Sequence, residues 1–153
     1  MLSTLTVNNP ASETCQMKAA ACGNICQVML AAASHRHVRL NYLSDVVMPA
    51  IAHGNVKIYF SDMGLPIGYA IWAFLSVEVH ERLKIGADRK LHLSEWNEGS
   101  SLWVIDLLAP FGHFENIYQD LKNNVFEKYD LVNFSKYKSH GFINKQITLK
   151  RFF

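Results

Sequence analysis

Apolar positions recur at spacings of three and four from Cys22 through Ile25, Cys26 and Met29 to Ala33. This spacing predicts an amphipathic helix, reached after a polar tail that ends near Ser12. S-H-R-H (34–37) is a polar interruption, a loop or a helix start, before a second periodic stretch. There Leu40, Leu43, Val47, Ala50 and Ile51 fall on one helix face, ending near His53-Gly54, with Pro49 expected to kink or shorten the helix. The period then changes to two. V-K-I-Y-F-S (56–61) reads as a strand, Asp62-Met63-Gly64 as a turn, and P-I-G-Y-A-I-W-A-F-L (66–75) as the returning strand of a hairpin.

Ser76 is placed to cap a helix that ends before Gly86. Residues 87–100 are mixed and include W-N-E-G-S, whereas S-L-W-V-I-D-L-L-A-P (101–110) is almost wholly apolar, as a buried central strand requires. An amphipathic helix over 113–122, with Ile117 and Leu121 on one face, and strands over 129–134 and 142–149 complete the pattern. The expected architecture is a single α/β (α+β) domain over residues 1–153, with 1–12 a flexible tail and a mostly antiparallel sheet flanked by helices.

Composition narrows the class. Half of the 153 residues are hydrophobic and 18% are charged, which excludes a disordered or collagen-like chain. No apolar run is long enough for a transmembrane helix. Residues 19–34 resemble a secretory signal, but Asn24 and Gln27 interrupt them and Glu13 offsets Lys18, so the helix is the better reading. The three cysteines (Cys15, Cys22, Cys26) form no C-x-x-C pair, which suits a reduced, cytoplasmic chain. Charge is uneven: residues 1–121 carry 8 Lys/Arg against 11 Asp/Glu, and residues 122–153 carry 7 against 2. The basic C-terminal segment is either a solvated face or a site for an acidic partner.

Two residues stand out chemically. Asp106 interrupts an apolar strand, where alternation puts it on one face with Val104 and Leu108. A carboxylate there needs a cation or a donor, and it serves either as a structural partner or as an acid that orients a histidine. His35 lies in the polar break, either at the surface or pointing into a cleft. His37 is close enough to suggest a metal pair, but no H-E-x-x-H helix or cysteine partner accompanies it. His53, His80, His92, His113 and His140 are individually uninformative. P-loop, G-x-S-x-G and G-x-G-x-x-G motifs are absent, and no interleaved basic–aromatic strand suggests nucleic-acid binding.

S-H-R-H, V-V-M-P-A-I, P-I-G-Y-A-I-W-A-F-L-S-V-E, W-N-E-G and W-V-I-D-L-L-A-P-F-G together resemble, in order, the motifs of the toxin-activating lysine acyltransferases of RTX toxin operons. The resemblance spans about residues 23–112. It implies a fold similar to the GNAT acetyltransferases and transfer of a fatty acyl group from acyl-acyl-carrier protein to internal lysine ε-amines of a protoxin, in the cytoplasm. It places the family's catalytic histidine on His35 and its catalytic aspartate on Asp106. The partners it implies are an RTX protoxin and acyl carrier protein, with a homodimer compatible with both and no nucleic acid.

The chain departs from the family at His37-Val38-Arg39, at Gly99-Ser100-Ser101 and at Leu107, where the family usually has W-P, G-D-R and tryptophan. On chemical grounds His35 acts either as general base toward the lysine or as the nucleophile of an acyl-imidazole. Asp106 fixes its tautomer, and backbone N–H groups are the expected oxyanion donors. Thioester aminolysis requires no metal or cofactor. A coenzyme-A-dependent GNAT enzyme and a non-enzymatic toxin-binding chaperone are the alternatives.

Overall fold

Five segments rich in β-branched and aromatic residues build one sheet in sequential order: β1 (Val56–Phe60), β2 (Pro66–Leu75), β3 (Ser101–Leu108), β4 (Leu131–Lys138) and β5 (Gly141–Thr148). The computed structural model describes residues 10–86, 88–138 and 141–149. Neighbouring strands are antiparallel except β3 and β4, which run parallel and are joined by a crossover containing α4 (Phe114–Asp120). The α+β expectation with a mostly antiparallel sheet holds. The one parallel pair was not foreseen.

Helix α1 (Pro10–Ala31) starts three residues earlier than the expected tail allows, and Pro10 suits a helix start because its missing N–H is not needed there. Residues 1–9 of that tail lie outside the described residues. The buried face of α1 carries Ile25, Val28 and Met29; just beyond the helix end Ala32 is also buried, whereas Ala33 is exposed. The second helical stretch is a π-helical turn (Leu43–Val47) running into α2 (Met48–His53), which Gly54 ends at φ 70°. Pro49 lies in the first turn of α2, directly after the π-helical turn, and does not end the helical stretch. Leu40, expected on the buried face, is 79% exposed because it precedes the turn. Helix α3 (Val77–Ile85) is capped by the Ser76 hydroxyl, which accepts from the Val79 amide at 3.3 Å, and stops at Gly86.

The sheet separates two apolar clusters. Tyr69, Ile71, Ala73 and Leu75 of β2 pack with α1, α2 and α3 on one face; Ala70 and Trp72 pack with Ile117, Leu121 and Phe126 on the other. The W-N-E-G segment straps the first cluster. The Phe74 amide donates to Trp96 O (2.8 Å) and the Gly99 amide to Phe74 O (3.0 Å). A Cβ at Gly99 would overlap the Leu75 carbonyl, so that close approach requires glycine.

Candidate active site

Pairing of β2 with β3 breaks register once. Ile71 faces Asp106 but Trp72 faces Val104, leaving Ile105 as an extra residue on β3. Such a bulge resets the alternation of side chains. Asp106 therefore does not share a face with Val104, as strict alternation predicts. Trp103, Ile105 and Leu108 belong to the α1-side cluster, Val104 and Leu107 to the other, and Asp106 reaches toward the α1 side to meet its partners. The bulge is what turns the carboxylate toward the histidine.

His35 follows α1 in a tight turn, where its amide and that of Arg36 both donate to Ala32 O at 3.0 Å. Its Nε2 lies 2.9 Å from Asp106 Oδ2. The two side chains are 18% and 12% exposed, enough to be reached and too little to be fully solvated. Since a carboxylate only accepts, Nε2 carries the hydrogen, and the Nδ1 lone pair faces the Ser34 hydroxyl at 2.8 Å. The two residues singled out in the sequence thus meet, 71 positions apart.

Two further residues complete the cluster. The Tyr69 hydroxyl donates to Asp106 Oδ2 at 2.8 Å, and the Tyr42 hydroxyl donates to the same oxygen. Burial first, then the charge of Asp106, pushes both phenols far above their ordinary range, so they stay protonated donors at any working pH. The Tyr42 ring also meets the His35 ring edge to face, with centroids 5.8 Å apart. Sequence reasoning missed both. The available signal was Tyr69 itself, a hydroxyl in an otherwise apolar central strand, which must find a partner when buried.

Beside this cluster the parallel strands part. β3 and β4 pair only at Trp103–Asn133 and Val104–Phe134. A groove of about 420 Å³ opens there, walled by Val104, Leu107, Phe126, Val132 and Leu149, with Asp106 on its lining. Lys122 and Lys136, two of the C-terminal cations, also border it. Lys145 lies instead by His80 in a separate small cavity, and Lys150 and Arg151 fall outside the described residues.

The other histidines have structural partners or stand apart. His53 stacks on Trp96 and donates from Nε2 to Leu93 O, while His80 Nδ1 accepts from the Trp103 indole at 2.9 Å. His37 lines a different pocket from the groove, and His140 lies outside the described residues. Among the described residues, no three His, Cys, Asp or Glu side chains gather as a metal site would need, and no helix is long and apolar enough to cross a membrane.

Comparison with known proteins places the chain in a family. The model of the RTX toxin acyltransferase family matches residues 14–149. An uncharacterized protein of Synechocystis is 34% identical over 105 residues, covering 68% of this chain and 71% of its own. The leukotoxin-activating lysine-acyltransferase LtxC of Aggregatibacter actinomycetemcomitans is 37% identical over 98 residues, 63% of this chain and 55% of its own length. A leukotoxin-activating lysine-acyltransferase of a Pasteurella haemolytica-like species is 30% identical over 139 residues, 85% of this chain and 83% of its own. With the family model matched across nearly all of the described chain, this protein belongs to the RTX toxin acyltransferase family.

Proposed function

We propose that this protein is a protein-lysine fatty acyltransferase that activates an RTX protoxin in the cytoplasm, taking the acyl chain from acyl-acyl-carrier protein and delivering it to internal lysine ε-amines. The observation that carries this reading is the His35–Asp106 pair, fixed by two tyrosines at the side of an apolar groove. Named relatives are lysine-acyltransferases, which supports the reaction class.

A lysine ammonium with a pKa near ~10.4 must lose its proton before it attacks a thioester. Nδ1 of His35 is the acceptor for that proton, either directly once the Ser34 hydroxyl turns away or through that hydroxyl, since Nε2–H is committed to Asp106. Asp106 holds the tautomer and stabilises the imidazolium, and the Tyr42 and Tyr69 hydroxyls hold the carboxylate in place. The groove supplies apolar surface for the acyl chain. The bulge at Ile105 frees backbone groups from the ladder next to Asp106, where an oxyanion would need donors. Attack forms the N–C bond, and collapse breaks the C–S bond to release the thiol of the carrier.

The test is reconstitution with purified protein, protoxin and two donors, read by mass spectrometry of lysine peptides. Acylation from the carrier-protein thioester is expected. Transfer from acyl-coenzyme A alone would reassign the donor, and no lysine acylation from either would overturn the reading.

A further inference from the structure

A second opening lies on the other face of the sheet, and its chemistry differs from that of the apolar groove. It has a volume of about 490 Å³ and is lined by Arg39, Arg89 and Lys90 with His37, against the single carboxylate of Asp45. Asp45 is already engaged by Lys90 at 3.4 Å. Ile105, the bulged residue, borders both openings, and Tyr42 forms part of the basic wall while donating to Asp106. Tyr42 and Ile105 thus connect the basic pocket to Asp106, which lines the apolar groove.

Trp96 belongs to the same wall. It is fully buried in the wall of the basic pocket, and its indole N–H has no hydrogen-bond partner among the described residues. A buried donor without an acceptor is costly unless something supplies one. The exposed Arg39 and Lys90, beside an Arg89 that already donates to Leu83 O and Ser135 Oγ, call for an anionic oxygen.

We infer that this pocket binds the acceptor polypeptide through a carboxylate side chain, Asp or Glu, close in sequence to the lysine that is acylated. The inference rests on the acyltransferase reading and adds a rule for choosing the lysine. With the apolar groove holding the acyl chain, the acceptor approaches from the basic side. A lone lysine would be repelled there. A lysine accompanied by a carboxylate is attracted, and once seated its ammonium lies near like charges that favour loss of its proton.

Binding is measured without any acyl donor, so the outcome does not depend on whether transfer occurs. The probes are two fluorescent peptides with one central lysine, flanked by glutamates in one and by glutamines in the other, titrated with the full chain. The glutamate peptide should bind about tenfold more tightly, as expected of two or three modest ion pairs, and the preference should vanish at ~0.5 M salt. Arg39 is exposed, so Arg39→Glu keeps the fold and should abolish or reverse the preference. Equal binding of the two peptides, or binding of neither, overturns the inference. So does an unchanged preference in Arg39→Glu, or displacement of the peptide by phosphopantetheine, which would assign the pocket to the donor's arm. Failure of the transfer reading shows separately, as absence of lysine acylation in the reconstitution.

Discussion

Tyr69→Phe removes one oxygen and leaves the rest of the site intact. The Tyr69 ring is fully buried in the α1-side cluster, so phenylalanine keeps the packing and loses the bond to Asp106 together with the hydroxyl's contact to Tyr42. A hydrogen bond to a charged acceptor is worth roughly 1.5–3 kcal/mol, against about 1 kcal/mol for a neutral pair. The substitution should therefore cost about 2 kcal/mol, and with a urea slope of about 2 kcal/mol/M the unfolding midpoint falls by roughly 1 M. Asp106→Asn makes the acceptor neutral, so on that background the same substitution should cost about 1 kcal/mol less. The four proteins of this cycle are compared by urea unfolding, with far-UV dichroism confirming the native fold. A coupling within about 0.3 kcal/mol of zero would refute the claim that Tyr69 acts on the carboxylate, because independent sites add to that precision.

Other consequences follow from the same geometry. Asp106→Asn should lower acyl transfer by ~10²-fold or more while the protein stays folded, since the remaining oxygen still accepts from the tyrosines; full activity in a stable variant would exclude a positioning role for the charge. Glu95 is held at about 2 by its bidentate bond to Arg82 (2.7 and 2.8 Å). A depressed carboxylate stabilises the fold above its unfolded pKa of ~4.3 and loses that contribution as pH falls toward 2, so Glu95→Gln should flatten the stability loss in that window; an unchanged acid-unfolding curve would contradict this. If the acidic carrier docks at the groove mouth, donor-side kcat/KM should fall as salt rises to ~0.5 M, and Lys122→Glu with Lys136→Glu should reproduce the fall at low salt. A rate flat across the salt series and unmoved by the reversals would leave those lysines as a solvated face.

Much of this architecture is legible along the chain because its signals are local. The Ser76 cap, the Gly54 and Gly86 stops and the period change at Val56 each depend on a few adjacent residues, and each marks an observed boundary. His35 and Asp106 were legible as oddities, a histidine in a polar break and a carboxylate in an apolar strand. What remained hidden depends on pairs of elements. The bulge at Ile105 is a property of β3 against β2, so β3 alone reads as unbroken alternation and puts Asp106 on the wrong face. Tyr42 and Tyr69 are ordinary core aromatics in sequence, and only the fold brings their hydroxyls to one carboxylate oxygen. The divergence of β3 from β4, which opens the apolar groove, arises from a parallel pairing that no single strand announces.

The central claim is that His35 performs the proton transfer on which lysine acylation depends. The most direct measurement is quantitative mass spectrometry of lysine peptides from an RTX protoxin co-expressed with the wild-type protein or with His35→Ala. Because the imidazole lies at the turn after α1 and is only partly buried, the variant should fold normally. Acylated lysines are expected with the wild type, and the variant should lose roughly 10²–10⁴-fold in transfer rate, the range of a missing acid–base group. Near-normal acylation by a folded His35→Ala protein would contradict it.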